Sequence, residues 1–344
     1  MLRRSLLAAP LLTAWPDSPA RAAGEAPLRA AWAAFRDRFM TAEGRVVDSG
    51  NRGISHSEGQ GWAMLAAVRA EDPASFALLW RWTRQHLRRP HDALSAWRFR
   101  PGHGVDDMNN ATDGDLFIAW ALLEAGARWG RPELSRQGES VARDILRLLV
   151  RTAGRFRVLL PGAHGFEQAG VTVVNPSYYA FPAIRALARA VPDPAWLQLA
   201  ADGLALLRDG RFGRWGLPPD WLAVPRGDGA LAPADGWPAR FSYDAVRVPL
   251  YLGWAGLRTE PAATQAERFW FDPAHRRTPA WADLRTDGIS PYAATQGILS
   301  VAYFTQWLQK GSGLSLDSQE MRGDYYSSAL RLLVALAEGE AAVT

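Results

Sequence analysis

Three acidic residues stand at the entrances to apolar segments in widely separated parts of the chain. They are Glu58 in Ser-Glu-Gly-Gln, Asp113 in Ala-Thr-Asp-Gly-Asp and Asp244 in Ser-Tyr-Asp-Ala. A fold that gathers them would supply a carboxylic acid and a carboxylate in one cleft. Glycoside hydrolysis needs that pair, because one group protonates the leaving oxygen and the other activates water or attacks carbon. The residue types therefore favour acid/base hydrolysis of a sugar polymer.

Glu58 can also be explained as part of a helix cap. In one frame of the capping box, Ser55 and Glu58 form the reciprocal pair of hydrogen bonds at a helix start. In the other frame Ser57 and Gln60 form it, and Glu58 is free to face a cleft. The helix macrodipole would stabilise the Glu58 anion, so an acid role requires burial or the charge of Asp113 to raise its pKa.

The other two acids leave the same choice open. Thr112 and Asp115 fit a second capping box, which leaves Asp113 without a structural task. Asp244 stands three residues before Arg247, a spacing at which the two side chains can pair in a helical turn. The ion pair is either purely structural or holds Asp244 ionised, as a general base requires.

The aromatic residues support a saccharide ligand. The chain has sixteen tryptophans, and several fall in segments predicted to be loops, namely Trp97, Trp215, Trp221 and Trp237. Exposed aromatic area is unfavourable unless something covers it. Sugar rings present flat C–H faces that suit such platforms, although packing of loops onto the core explains many tryptophans equally well.

Other chemistries find little support in the sequence. The six histidines show no tight ligand spacing, so no metal site is predicted. Nucleophile elbows, phosphate loops and dinucleotide fingerprints are missing, and we expect no cofactor. The formal charge of +4 is scattered without a basic stripe, which argues against nucleic acid. The lack of cysteine excludes thiol chemistry and disulfides.

The first 22 residues have the features of a secretory signal peptide. Two arginines precede an apolar stretch over 5–15, and residues 20–22 offer the small side chains of a cleavage site. The alternative is a ragged apolar N-terminus. No apolar run is long enough to cross a bilayer, so we expect no membrane span in the mature chain. The predicted protein is periplasmic or secreted, with one domain over 23–344.

Helical periodicity dominates the rest of the chain. Segments that are apolar all round, 58–70 and 115–129, are each followed by an amphipathic segment, 74–87 and 133–150. Further pairs are 177–189 with 194–208, 244–257 with 261–270 and 293–309 with 321–337, after an opening helix over 31–40. The pattern predicts an all-α toroid of helical hairpins in two concentric layers. Long loops over 94–110, 154–176 and 209–241 would form a cleft on the face where the inner helices begin.

These motifs together resemble glycoside hydrolase family 8. The resemblance rests on SEGQGWAM over 57–64, ATDGD over 111–115 and SYDAVR over 242–247. It implies an (α/α)6 barrel and an inverting endo-β-1,4-glucanase. By that resemblance Glu58 is the proton donor, Asp244 is the base and Asp113 holds the sugar at the cleavage point. Inversion implies that the Glu58 and Asp244 carboxyls lie roughly 6.5–9.5 Å apart.

The resemblance also implies a set of glucan-binding residues. The candidates are Trp97, Phe99, Tyr178, Trp221, Tyr243 and Arg247. Tyr178 and Arg247 would line the cleavage subsite, whereas Trp97 and Trp221 would stack on flanking glucose units. Phe99 stands where related enzymes tend to carry a second tryptophan, which leaves one stacking platform and the chain-length preference open.

The expected activity is hydrolysis of β-1,4-glucan chains during bacterial cellulose synthesis and export, with the cellulose synthase complex as a candidate partner. One alternative is the same barrel acting on xylan, chitosan or mixed-linkage glucan. A second is a glucan-binding subunit without turnover, which the presence of all three acids disfavours.

Overall fold

Two layers of helices build the barrel in the computed structural model, which describes residues 19–311 and 323–341. Of the predicted signal peptide, residues 1–18 lie outside that range. No helix in the described ranges is both long and apolar enough to cross a membrane. The helices are α1 Pro19–Phe39, α2 Ser57–Arg69, α3 Pro73–His86, α4 Thr112–Arg128, α5 Pro132–Leu149, α6 Phe181–Ala190, α7 Pro194–Asp209, α8 Arg247–Trp254, α9 Pro261–Trp270, α10 Gln296–Lys310 and α11 Tyr325–Ala341, with a 3₁₀ turn at Pro176–Tyr178.

The inner layer consists of α2, α4, α6, α8 and α11. Each contacts the next, and α11 closes the ring against α2. The sequence explains this layer, because α2 and α4 are buried over nearly their whole length and carry mainly Ala, Leu, Gly and aromatic side chains. The remaining helices cover the ring and turn a polar face outward. The predicted all-α (α/α)6 fold is confirmed by this two-layered barrel, of which the described residues contain five inner and six outer helices.

The last helical pair reverses the expected order of inner and outer helix. Helix α10 is amphipathic and leaves Trp307 37% exposed, whereas α11 is buried over nearly all of its described side chains. The reversal arises between α9 and α10, where residues 271–295 form no helix. Pro279 and Pro291 fall in that stretch, and proline breaks a helix by removing a donor and clashing with the preceding turn.

Short antiparallel strands fix the long loops to the barrel. They are β1 Ser55–His56, β2 Arg98–Phe99, β3 Val150–Ala153, β4 Phe156–Leu159, β5 Val171–Val174, β6 Leu222–Pro225, β7 Ala232–Pro233, β8 Arg240–Phe241 and β9 Ala282–Asp283. The pairs are β1 with β2, β3 with β4, β5 with β6 and β7, and β8 with β9. The sequence pattern did not predict these strands, because two to four residues are too few to show a period.

Candidate active site

One arginine gathers the three acids predicted from the sequence. Arg247, only 4% exposed, places Nη1 2.8 Å from Glu58 Oε1 and 3.5 Å from Asp113 Oδ2. Its Nη2 lies 2.7 Å from Asp244 Oδ1. The carboxylates meet because α2, α4 and the turn before α8 all open at the same end of the inner ring. Three residues far apart in the chain therefore share one guanidinium.

Neither capping-box frame proposed for Glu58 is present. Helix α2 begins at Ser57 after an extended N-cap residue, His56, which makes no side-chain cap hydrogen bond. Gln60 is buried instead, and its amide accepts from the Val46 backbone at 2.6 Å. Glu58 therefore lies in the first helical turn with its carboxylate available to the cleft.

The second capping box is also wrong. Thr112 is the first residue of α4. Its hydroxyl donates to the Leu160 carbonyl, directly after β4, at 2.6 Å. Asp115 accepts hydrogen bonds from the Ser95 N–H at 2.7 Å and the Asn110 amide at 2.9 Å. Both residues hold long loops against the barrel. Asp113 is left as the member of the motif that reaches Arg247.

Glycine allows α2 and α4 to approach closely enough to place two acids side by side. A Cβ added at Gly114 would lie 2.3 Å from the Ser57 hydroxyl and 2.7 Å from the Glu58 nitrogen. At Gly61 it would lie 2.9 Å from Phe117 Cβ. Real Cβ atoms do not tolerate the shorter distances, so the two helices would have to move apart.

We expect Gly114→Ala to lower both stability and activity. Overpacking of this kind costs about 1–3 kcal/mol, and the separation of Glu58 from Asp113 would reduce kcat as well. Urea unfolding and kcat on a soluble glucan measure the two effects. The matched control is Gly227→Ala, at a position with nothing within 4 Å of an added Cβ. A Gly114→Ala protein with unchanged unfolding midpoint and kcat would contradict the close-approach explanation.

The pKa values of Glu58 and Asp113 are displaced in opposite directions in the free site. Burial raises the pKa of Glu58, but the Arg247 charge, a hydrogen bond with Asp113 and the nearby His56 outweigh it and lower that pKa to about 2. Burial and the adjacent Glu58 charge raise the pKa of Asp113 well above its usual value. Asp113 is therefore the more basic of the two carboxyls. The raised pKa that an acid role of Glu58 requires is not present in the free site, because Arg247 contacts Glu58.

Asp244 has a pKa close to neutral. Burial raises it to about 7, against the lowering effect of Arg247, and the charges of Asp220 and Glu58 add to the increase. Arg247 alone was expected to keep Asp244 ionised, and burial opposes it. Asp244 also lies in a turn, since α8 begins only at Arg247. A carboxylate with such a pKa is well matched to accept a proton near neutral pH.

Three predicted substrate-binding residues lie around this cluster. The Tyr178 ring is buried, with its centroid 6.0 Å from Arg247 Cζ. Tyr243 is 42% exposed beside Asp244, and its hydroxyl lies 3.1 Å from that of Tyr292. Trp97 lies next to the start of α2, since its carbonyl accepts the Ser57 N–H at 3.0 Å and its ring stacks on His56 at 6.3 Å between centroids. Aromatic residues from three segments thus lie near the acids.

The other two aromatic candidates are engaged by neighbouring rings. Trp221 stacks on Trp237 at 5.0 Å and on Phe166 at 5.8 Å between centroids. Its loop therefore offers a stack of three rings where a single platform was predicted. Phe99 packs edge-on against Trp82 at 5.3 Å, which gives it a packing role under α3.

Sequence reasoning missed two polar residues that support Arg247. Ser177 accepts a hydrogen bond from Arg247 Nη2 at 2.9 Å and donates to Asn175 Oδ1 at 2.7 Å. Both side chains are buried. The segment Asn-Pro-Ser carries no chemical signature that separates it from an ordinary turn. Only its position beside Arg247 identifies it.

Buried atoms without a hydrogen-bond partner lie beside the three acids and are available to a ligand. These are the Ser57 hydroxyl and Arg247 Nε. Buried polar atoms are normally paired, and a hydroxyl-rich ligand would pair them. In the described part of the chain, no group of three His, Cys, Asp or Glu side chains has an arrangement that could hold a metal ion.

Comparisons with known proteins agree with one another. A family model described as glycosyl hydrolases family 8 matches residues 2–340. A probable endoglucanase of Novacetimonas hansenii is 47% identical over 90% of each chain. An endoglucanase of Cellulomonas uda is 39% identical over 80% of this chain and 77% of its own. The solved structure of the endo-β-1,4-glucanase CMCax from Acetobacter xylinum is 46% identical, covers 91% of this chain and 99% of its own, and superposes with a TM-score of 0.85.

Proposed function

This chain belongs to glycosyl hydrolase family 8, and we propose on that premise that it is an inverting endo-β-1,4-glucanase. The observation that carries the proposal is the convergence of Glu58, Asp113 and Asp244 on Arg247. The relatives with high identity are named as endoglucanases, and one is named as an endo-β-1,4-glucanase. The substrate is accordingly a β-1,4-glucan chain.

The proposed roles follow from the charges at the site. Glu58 protonates the leaving glycosidic oxygen, and Asp244 accepts a proton from the water that attacks the anomeric carbon from the other face. Asp113 binds the sugar at the cleavage point and is more basic than Glu58 in the free enzyme. Glu58 must receive a proton before it can act as the acid, and the hydrogen bond between the two carboxyl groups provides a direct route.

Arg247 has two tasks in this mechanism. It fixes the positions of the Glu58 and Asp244 carboxylates by hydrogen bonds from two different guanidinium nitrogens, so that the two groups are held apart rather than in contact. It also compensates part of the negative charge of the three acids, which would otherwise repel one another in a buried site.

An assay of reducing-end release tests the proposed function. We expect rapid release from carboxymethylcellulose, with a fall in viscosity that marks internal cleavage, and far slower release from xylan and chitosan. The Glu58→Gln protein serves as the inactive reference. Equal release by both proteins on every polysaccharide would refute the proposed hydrolase activity. Faster release from another polymer would change only the proposed substrate. A first product with the retained β-anomer, detected by NMR, would refute inversion.

We also propose that the protein is exported and works on cellulose as it is synthesised. The N-terminal features over 1–22 support export to the periplasm or beyond, with a single catalytic domain over 23–344. Cell fractionation with N-terminal sequencing of the mature protein tests this point. Co-purification with the cellulose synthase complex under mild crosslinking tests the partnership.

A further inference from the structure

A fourth buried acid, Asp220, lies behind the turn that carries Asp244. It precedes β6 in the long loop over 209–241 and is 8% exposed. No oxygen of Asp220 bonds to Arg247, and the mechanism above gives Asp220 no task. A buried carboxylate is costly unless it is well paired, so its partners indicate what it does.

All hydrogen-bond donors to Asp220 come from one short turn. Oδ1 accepts the backbone N–H groups of Ser242 at 3.0 Å, Asp244 at 3.2 Å and Ala245 at 2.8 Å. Oδ2 bonds the Ser242 hydroxyl. The Asp220 backbone N–H in turn donates to the Arg240 carbonyl at 2.7 Å, immediately before the turn. One carboxylate thus accepts hydrogen bonds from three of the four residues of the turn over 242–245.

Nothing else in the turn performs this task. Helix α8 starts at Arg247 with no side-chain cap, so the N–H groups of Asp244 and Ala245 fall before the helical ladder. Asp220 supplies the acceptor that an N-cap side chain would otherwise provide, from a distant part of the chain. We propose that Asp220 is a positioning residue, which shapes the turn over 242–245 and so fixes the direction of Asp244. This inference rests on the proposed function for its catalytic consequence.

Asp220 also acts on Asp244 through charge. Its own pKa is raised by burial against the lowering effect of its four donors, and its negative charge raises the pKa of Asp244. The charged or titratable groups that face Asp244 are Asp220, Glu58 and Asp113, with Arg247, Tyr178 and Tyr326. Arg247 alone among these lowers the pKa of Asp244, so removal of the Asp220 charge leaves a more acidic base.

Two substitutions separate position from charge. Asp220→Asn keeps an oxygen for the three N–H groups and can donate to the Ser242 hydroxyl, so the turn is retained and the charge is lost. Asp220→Ala removes both the acceptor oxygens that hold the turn and the negative charge. The control is Asp72→Ala, which removes a carboxylate that accepts from the Ser75 N–H and Trp32 Nε1 at the far end of α2.

We expect different kinetic results from the three proteins. Asp220→Asn should shift the acidic limb of the kcat profile to lower pH, with a loss of less than about ten-fold at the optimum because a weaker base accepts the proton less readily. Asp220→Ala should lose about 10²-fold in kcat with little change in KM, the effect of a displaced catalytic group. Asp72→Ala should lose stability and retain both kcat and its pH profile.

A measurement without turnover keeps the inference testable if the proposed function fails. Carboxyl carbon NMR titration, with Asp244→Asn to identify the signal, should show a lower pKa of Asp244 in the Asp220→Asn protein. Amide exchange at residues 244 and 245 should accelerate in Asp220→Ala only. Wild-type titration and exchange in both variants would overturn the positioning role, whatever activity the protein has. An inactive wild-type protein would instead count against the hydrolase alone.

Discussion

We expect the Glu58→Gln protein to lose about 10³-fold in kcat on cellulose, the contribution that a general acid typically makes. Glutamine keeps the size of the side chain and can still accept from Arg247 Nη1, which lies 2.8 Å from the native oxygen. The lost function is the delivery of a proton to the leaving oxygen. A leaving group that departs without a proton should therefore restore the rate.

A dinitrophenyl cello-oligosaccharide provides that leaving group. We expect Glu58→Gln to cleave it at close to the wild-type rate, while Asp113→Asn remains slow on both substrates because Asp113 binds the sugar. This comparison also decides between the two acids, since the pKa of Asp113 is raised and that of Glu58 is lowered in the free enzyme. Recovery by Asp113→Asn in place of Glu58→Gln would transfer the acid role to Asp113.

The second large effect concerns Asp244. Asp244→Asn should lose about 10³-fold in kcat on polymer and activated substrate alike, because water activation is required in both cases. In the wild-type protein, kcat/KM should fall as the pH drops through about 7, where Asp244 gains a proton and ceases to be a base. The residual activity of Asp244→Asn should lack that acidic limb.

Azide tests whether the Asp244 carboxylate lies on the face of the sugar opposite the leaving group. In the Asp244→Asn protein azide can attack the anomeric carbon on the face where water attacks, while Glu58 protonates the departing oxygen. The expected product is the α-glycosyl azide, formed with inversion. A β-glycosyl azide would contradict the geometry proposed for the site, and an Asp244→Asn protein with wild-type kcat would remove Asp244 from the mechanism.

The interpretation of Glu58 shows where local sequence rules fail. Ser57 and Gln60 satisfy the capping-box pattern, yet Gln60 is buried and bonds Val46, fourteen residues earlier. The Gln60 side chain forms this tertiary hydrogen bond instead of the capping box, and a local sequence pattern contains no information about Val46. The helix start itself was predicted to within a residue, because it depends on the apolar periodicity that follows Glu58.

The pKa values of the three acids also depend on contacts that the local sequence does not show. Residue types alone identified three acids and an arginine, and the spacing of Asp244 and Arg247 correctly indicated their ion pair. Which carboxyl is the weaker acid depends on contacts over 55 and 189 residues of chain, between Glu58, Asp113 and Arg247. Burial and charge act through space, so their balance follows from the fold.

The sequence by itself determined the helical layers, the family and the acids that could do chemistry. Each depends on period, composition or motif, which are local properties of the chain. The tertiary structure alone decided that Asp113 is a weaker acid than Glu58, that Trp221 lies within a stack of rings and that Asp220 accepts hydrogen bonds from the turn of Asp244. Those features arise where distant segments meet at the mouth of the barrel, and the free energies of desolvation and charge pairing exist only after they have met.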